Sequence, residues 1–135
     1  IKNGEDVAIL TFGHIGNYAI EACERLAENN ISAAHYDLRF AKPLDEMLLH
    51  EVFGKFDKII TIEDGCVMGG IGSAILEFAA DHQYKNSTVV RLGIPDAFIE
   101  HGTQMELHKE CGFDPESIAQ TAAKLVGIKL SKQAV

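Results

Sequence analysis

The chain has 135 residues, of which 47% are hydrophobic and 24% charged, and this balance excludes a mainly disordered or fibrous protein. Its 20 acidic residues outnumber 12 basic ones and give a formal net charge of -8, which disfavours binding to nucleic acid or to anionic membrane surfaces. Its three cysteines are widely spaced, so we expect no disulfide framework and a cytoplasmic location.

The first half of the chain alternates strand-like and helix-like segments. Residues 6–12 form a short apolar run closed by Gly13, which predicts a buried strand. From Ile15, apolar residues recur at helical spacing until Asn29-Asn30 end the pattern. Residues 31–39 predict a second strand. The next helix is predicted from its apolar face, which comprises Leu44, Leu48, Leu49, Val52 and Phe53.

The same alternation continues in the second half. Residues 58–62 are the most strand-like run of the chain, residues 63–70 read as a loop, and residues 88–92 predict a fourth strand. Between the loop and the fourth strand we predict a helix that buries Ile71, Ala74, Ile75, Phe78 and Ala79.

The end of the chain carries helix-boundary signals. Residues 103–106 match a capping box, and Gly112 suits the position just after that helix. Asp114 and Pro115 predict the N-cap and first residue of a last helix, and the chain from Leu130 onward is expected to fray.

Strands that alternate with helices every 25 to 30 residues or so predict βαβ units. The expected fold is therefore α/β, a three-layer sandwich with a mostly parallel sheet of about four to five strands and helices on both faces. We expect residues 1–135 to form a single domain. Because the chain starts at Ile1 rather than at a methionine, we also expect a fragment of a longer chain.

A glycine-rich segment, residues 65–73, lies between the third strand and its helix. It lacks the lysine of a phosphate-binding P-loop, because Ile71 stands there, and it has Ile75 where a dinucleotide fingerprint needs a small residue. We favour a tight loop with close packing of the helix on the sheet. Binding of a small anion by backbone N–H groups is the alternative.

Residues that could carry catalysis or bind metal are few. Cys23 falls on an apolar helix face, and Cys66 has no basic neighbour that would activate it. His50-Glu51 begins a zinc-binding motif, but Gly54 stands where its second histidine is needed. His108 and Cys111 form one pair of possible ligands three residues apart, without a matching second pair, so no metal site is predicted. Glu63-Asp64 could act as general acid and base at a strand end, but a solvated turn is the favoured interpretation.

Three blocks of sequence carry a family resemblance. The blocks are Asp37-Leu38-Arg39-Phe40-Ala41-Lys42-Pro43-Leu44-Asp45, then Thr61-Ile62-Glu63-Asp64-Gly65 with Met68-Gly69-Gly70-Ile71-Gly72-Ser73, then Leu92-Gly93-Ile94-Pro95-Asp96 with His101-Gly102-Thr103-Gln104. With these blocks, the chain resembles the C-terminal domain of the 1-deoxy-D-xylulose-5-phosphate synthase family, a branch of the wider transketolase family.

The resemblance implies a parent transferase that condenses pyruvate with D-glyceraldehyde 3-phosphate and releases carbon dioxide, for isoprenoid and thiamine biosynthesis. Such an enzyme is a cytoplasmic homodimer that uses thiamine diphosphate and Mg²⁺, which its two preceding domains bind. The resemblance therefore carries over no catalytic, cofactor-binding or metal residue to this chain. We expect the isolated domain to be inactive, with a structural and assembly role towards the other domains and a second subunit.

The loops after the strands are the candidate functional surface. We expect residues 63–72 and 93–104 to lie together and to form an interface or, in the alternative, an anion site of a regulatory module. A C-terminal domain of transketolase itself or of a 2-oxoacid dehydrogenase β subunit is a further alternative. The candidate residues are Glu63, Asp64, Gly69, Gly70, Gly72, Ser73, Asp96 and His101.

Overall fold

The computed structural model describes residues 4–13, 15–38, 45–66, 70–94 and 112–130. Within these residues, strands and helices alternate as the sequence predicts. None of the helices there has the length and apolar character needed to cross a membrane. In chain order the elements are β1 (Val7–Phe12), α1 (Gly16–Glu28), β2 (Ala33–Leu38), α2 (Glu46–Lys55), β3 (Lys58–Cys66), α3 (Ile71–Asp81), β4 (Thr88–Ile94) and α4 (Pro115–Val126).

The four strands form one parallel sheet in the order β2-β1-β3-β4. Ile9 of β1 lies opposite His35 of β2 on one side and Ile60 of β3 on the other. Because all strands run in the same direction, their carboxyl ends meet at one edge of the sheet. The predicted parallel sheet is confirmed, and that edge is where the site described below lies.

The sheet is buried on both faces, so the chain has two apolar cores. Alternation along the strands sends Ile9, Ile60 and Ile62 towards α1 and α4, and Leu10 and Ile59 towards α2 and α3. This arrangement confirms the three-layer sandwich with helices on both faces. The helix residues buried in the first core include Ala19, Cys23, Leu26, Ile118 and Ala122, and those in the second include Leu49, Val52, Phe53, Ile75 and Phe78.

The helix ends follow local capping chemistry. The carboxylate of Asp45 accepts a hydrogen bond from the backbone N–H of Leu48 at 3.1 Å and so caps α2. Asp114 and Pro115 begin α4 as predicted. Gly112 adopts the left-handed φ of +84° that the predicted helix end requires, although the helix expected before it lies outside the described residues.

The structure differs from the sequence predictions in one strand boundary and in the burial of two residues. Strand β3 continues to Cys66, so Glu63 to Cys66 belong to a strand and not to a loop, with a register shift against β4 between Ile62 and Cys66. Ala74 is only partly buried. Leu130 itself packs against the core beside α1 and α4, because its apolar side chain gains burial there, whereas residues 131–135 of the predicted frayed tail lie outside the described residues.

Candidate functional site at the carboxyl edge of the sheet

Glu63 is the central charged residue of the carboxyl edge. It lies opposite Phe12 in the sheet, and its side chain is only 8% exposed. Its carboxylate accepts hydrogen bonds from the backbone N–H groups of Ile71 at 3.0 Å and Gly72 at 3.4 Å. The interpretation of Glu63 as part of a solvated turn is therefore wrong, because the strand continues through it and the start of α3 covers its side chain.

The carboxylate of Glu63 replaces a local cap for α3. The N-cap residue of this helix is Gly70, which has no side chain to accept the first N–H groups, and the first turn contains no acidic residue. A negative charge at a helix N-terminus is favourable because the unpaired N–H groups there carry partial positive charge. Two of the N–H groups that an external anion would need are thus used within the fold.

Gly72 allows α3 to lie directly against the sheet. A Cβ atom at this position would stand 2.7 Å from Oγ1 of Thr61 and 3.0 Å from Cγ of Arg91. Both distances are shorter than ordinary contacts, so a larger residue would push the helix away. The close-packing interpretation of the glycine-rich segment is confirmed for Gly72.

Arg91 is a residue of this edge that the sequence analysis did not identify. It is half-buried in β4, and its Nη1 donates a hydrogen bond to Oγ of Ser73 at 2.9 Å. The sequence contains one indication of its role, because Arg91 is a charged residue within the otherwise apolar run of β4, on the side of the strand that faces α3. The Arg91–Ser73 contact joins β4 to the first turn of α3.

A second polar pair lies on the opposite face of the same edge. Oγ1 of Thr11 and Nε2 of His35 are 2.8 Å apart, and both side chains are buried beneath the first turn of α1 near Gly16. Burial lowers the pKa of His35, because the charged imidazolium loses its hydration, while the nearby Asp37 acts in the opposite direction. The protein environment therefore favours the neutral imidazole of His35 over the charged form.

The structure brings together four of the eight predicted site residues: Glu63, Gly70, Gly72 and Ser73. The backbone of Asp64 lies in β3, whereas Gly69, Asp96 and His101 lie outside the described residues. Throughout the described ranges, no group of three or more His, Cys, Asp or Glu side chains could hold a metal ion. At this edge the described polar groups form hydrogen bonds with one another, and these bonds connect α3 to the sheet.

Comparison with protein families agrees with this architecture. Residues 1–118 match the family described as the transketolase C-terminal domain. The chain belongs to the transketolase C-terminal domain family. The resemblance seen in the three sequence blocks is thereby confirmed at the level of the family, and the elements from β1 to the start of α4 are those of this domain.

Curated relatives extend the match. The chain is 62% identical over 130 residues to 1-deoxy-D-xylulose-5-phosphate synthase of Cytophaga hutchinsonii, a match that covers 96% of this chain and 20% of the relative. It is 54% identical over 125 residues to the synthase of Bacteroides thetaiotaomicron, covering 92% of this chain and 19% of that relative. The chain thus spans about a fifth of the length of the curated relatives it matches.

Solved structures share the fold of this transketolase C-terminal domain. A split-gene transketolase, described as an inactive beta4 tetramer, superposes with a TM-score of 0.84 at 30% identity, over 95% of this chain and 41% of that one. A transketolase of Pichia stipitis superposes with a TM-score of 0.64 at 24% identity, over 94% of this chain and 17% of that one. The second likeness concerns the fold alone.

Proposed function

We propose that the chain is the C-terminal domain of a 1-deoxy-D-xylulose-5-phosphate synthase and serves the structure and assembly of that enzyme. The observation that carries the proposal is the 62% identity to the Cytophaga hutchinsonii synthase over 130 residues. The parent enzyme would be a cytoplasmic homodimeric transferase that condenses pyruvate with D-glyceraldehyde 3-phosphate and releases carbon dioxide. Residues 1–135 would be one domain of that longer chain.

The described residues do not fit the thiamine diphosphate and Mg²⁺ that such an enzyme uses. Among the described residues, no group of three or more His, Cys, Asp or Glu side chains could hold a metal ion. Backbone N–H groups at a helix N-terminus can bind phosphate, but two of those at the start of α3 already donate to Glu63. We therefore assign cofactor binding and the reaction itself to the other domains of the parent enzyme, and we expect the isolated chain to be inactive.

The carboxyl edge would be the docking surface of the domain. Glu63 and Gly72 hold α3 against the sheet, and the half-buried Arg91 and Ser73 stand beside them. In a surface built in this way, hydrogen bonds and close packing fix the start of α3 against β3 and β4. We propose that it contacts the remaining domains or the second subunit, together with Asp64, Gly69, Gly70, Asp96 and His101 of the adjoining segments.

A hybrid enzyme tests the domain assignment. The C-terminal domain of the Cytophaga hutchinsonii synthase is replaced by this chain, and formation of deoxyxylulose phosphate is measured. We expect an active hybrid, because the two domains are 62% identical. The matched control carries the C-terminal domain of the Pichia stipitis transketolase, which is 24% identical to this chain, and should assemble poorly. A folded hybrid dimer without activity would overturn the assignment.

The isolated chain provides a second test. Titration calorimetry with thiamine diphosphate and Mg²⁺ should give no binding heat, and no product should form from the two substrates. A micromolar, Mg²⁺-dependent binding heat would contradict the assignment of the cofactor to the other domains.

The docking proposal is tested with Asp96→Ala and His101→Ala in the hybrid enzyme. Loss of one member of a buried, charge-assisted pair costs an association about 2–5 kcal/mol, so the hybrid dimer should dissociate more readily. Values of kcat/KM per remaining dimer should stay near those of the unaltered hybrid. A collapse of kcat with the dimer intact would place the edge in the active site instead.

A further inference from the structure

A cluster of aromatic and imidazole rings joins α2 to the end of α3, on the side of the sheet that carries the second core. His50 lies on α2, and His82 is the C-cap residue of α3. Their ring centroids are 4.6 Å apart and the rings are nearly perpendicular, at 89°. Both histidines are exposed to solvent, so ions in solution have access to them.

The Nδ1 atom of each histidine is already engaged. Nδ1 of His82 is 3.0 Å from the carbonyl oxygen of Phe78. Because a carbonyl only accepts hydrogen bonds, this contact puts the ring proton on Nδ1 and leaves the lone pair of neutral His82 on Nε2. Nδ1 of His50 is 2.5 Å from the hydroxyl oxygen of Tyr84. A tyrosine hydroxyl can accept a hydrogen bond as well as donate one, so this contact is compatible with a proton on Nδ1 and a free lone pair on Nε2 of His50.

The surrounding rings hold both imidazoles in place. His82 packs on Phe78 with a centroid distance of 4.2 Å, and His50 makes a T-shaped contact with Phe78 at a centroid distance of 4.9 Å. Tyr84 in turn stacks on Phe53 at 5.1 Å. The two histidines are thus supported by apolar side chains and by one hydrogen bond each, an arrangement that lowers the entropy cost of fixing them around a ligand.

We propose that His50 and His82 bind a divalent transition metal ion such as Zn²⁺ through their Nε2 atoms. Metal-bound histidines typically use one ring nitrogen for the metal and donate the other N–H to an oxygen atom, and the Phe78 carbonyl and the Tyr84 hydroxyl supply those oxygens. The chain's formal charge of -8 favours a bound cation. Water would complete the coordination, since each histidine contributes a single ligand.

The separation of the ring centroids is one that a shared metal ion allows. A Zn–N bond of about 2.0–2.1 Å puts each ring centroid about 3.2 Å from the metal, so two imidazoles at coordination angles between about 90° and 109° have centroids about 4.5–5.2 Å apart. The observed 4.6 Å lies within that interval. The site belongs to two different helices, so a bound ion would link α2 to α3.

Zinc titration of the 135-residue chain tests this site, independently of the proposed enzymatic function. Calorimetry with zinc chloride should give one ion per chain, and NMR should show the Cε1–H resonances of His50 and His82 shifting together. His50→Gln and His82→Gln should each weaken zinc binding at least tenfold, and Tyr84→Phe should weaken it less because the ring remains. His108→Gln is the matched control that removes a histidine elsewhere and should leave the affinity unchanged.

Thermal unfolding gives a second readout. Zinc should raise the Tm of the unaltered chain and have little effect on that of the His50→Gln and His82→Gln variants, because an ion that binds only the folded state stabilises it. The proposal is overturned if the unaltered chain binds no zinc, if zinc shifts other histidine resonances only, or if both single variants keep the original affinity.

Discussion

The carboxylate of Glu63 accepts a hydrogen bond from the backbone N–H of Ile71 at 3.0 Å and so fixes the start of α3 to the end of β3. This contact connects a strand to the start of the helix that follows it in the chain. It also places a buried negative charge at the positive end of the helix dipole. The geometry of the carboxyl edge depends on this junction.

Replacing Glu63 should therefore destabilise the fold. Glu63→Ala leaves two buried N–H groups without their acceptor, and hydrogen bonds to charged groups contribute about 1.5–3 kcal/mol to the free energy of unfolding. Glu63→Gln retains one acceptor oxygen but loses the charge and should cost less. Urea denaturation of both variants measures the difference. Glu24→Gln, on the exposed face of α1, is the control, and equal midpoints for Glu63→Ala and this control would contradict the junction.

Replacement of two glycines by alanine, one in α2 and one in α3, should change the stability of the fold in opposite directions. In Gly72→Ala the new Cβ would meet Thr61 and Arg91 at 3.0 Å or less, so the variant should lose about 1–3 kcal/mol of stability through overpacking. Gly54, in α2, has no atom within 4 Å of an added Cβ. Gly54→Ala should gain about 0.5–1 kcal/mol, because alanine is the better helix former. Denaturation midpoints that move in the same direction would refute this comparison.

Whether an interaction of the fold or of the carboxyl edge could be predicted from the sequence depends on how far apart its two residues lie in the chain. The N-cap bond between Asp45 and Leu48 spans three residues, and capping at that spacing is visible in the chain itself. The Glu63–Ile71 and Arg91–Ser73 hydrogen bonds span eight and eighteen residues. They exist only because the sheet brings β3, β4 and the start of α3 together.

Strand length illustrates the same limit. The apolar run of residues 58–62 predicted the first part of β3, whereas Glu63, Asp64 and Gly65 have compositions typical of loops. Pairing within the sheet nevertheless carries the strand to Cys66. Asp114 shows the converse: its position as N-cap was predicted correctly, yet its side chain makes no capping bond and its Oδ1 is buried without a partner in the described part of the chain.

The two-sided core predicts a contrast between two isoleucines. Ile60 lies in β3 and is fully buried, while Ile20 on α1 is 51% exposed. Ile60→Ala should lower the free energy of unfolding by about 2–5 kcal/mol, because it opens a cavity that the sheet cannot close. Ile20→Ala should change it by less than about 0.5 kcal/mol. Similar unfolding midpoints for the two variants would contradict the position of β3 in the sheet.

Stability should also depend on pH through His35. Burial lowers the pKa of this histidine in the folded state below its ordinary value of 6.5, so the unfolded chain binds the proton more readily. The free energy of unfolding should therefore be fully maintained above about pH 6.5 and should fall as the pH is lowered towards the folded-state pKa, with a slope of at most about 1.4 kcal/mol per pH unit for one proton. Urea denaturation at a series of pH values measures this slope.

His35→Gln removes the titrating ring while an amide remains near Oγ1 of Thr11, so the variant should lose this part of the pH dependence even if its stability at neutral pH also drops. His82→Gln is the matched control, because it removes an exposed histidine and leaves His35 in place. Measured in metal-free buffer, the control should keep the slope of the original chain. If His35→Gln and the original chain lose stability in parallel as the pH falls, then His35 is not the group that responds to acid, and the buried Thr11–His35 pair does not hold the imidazole neutral.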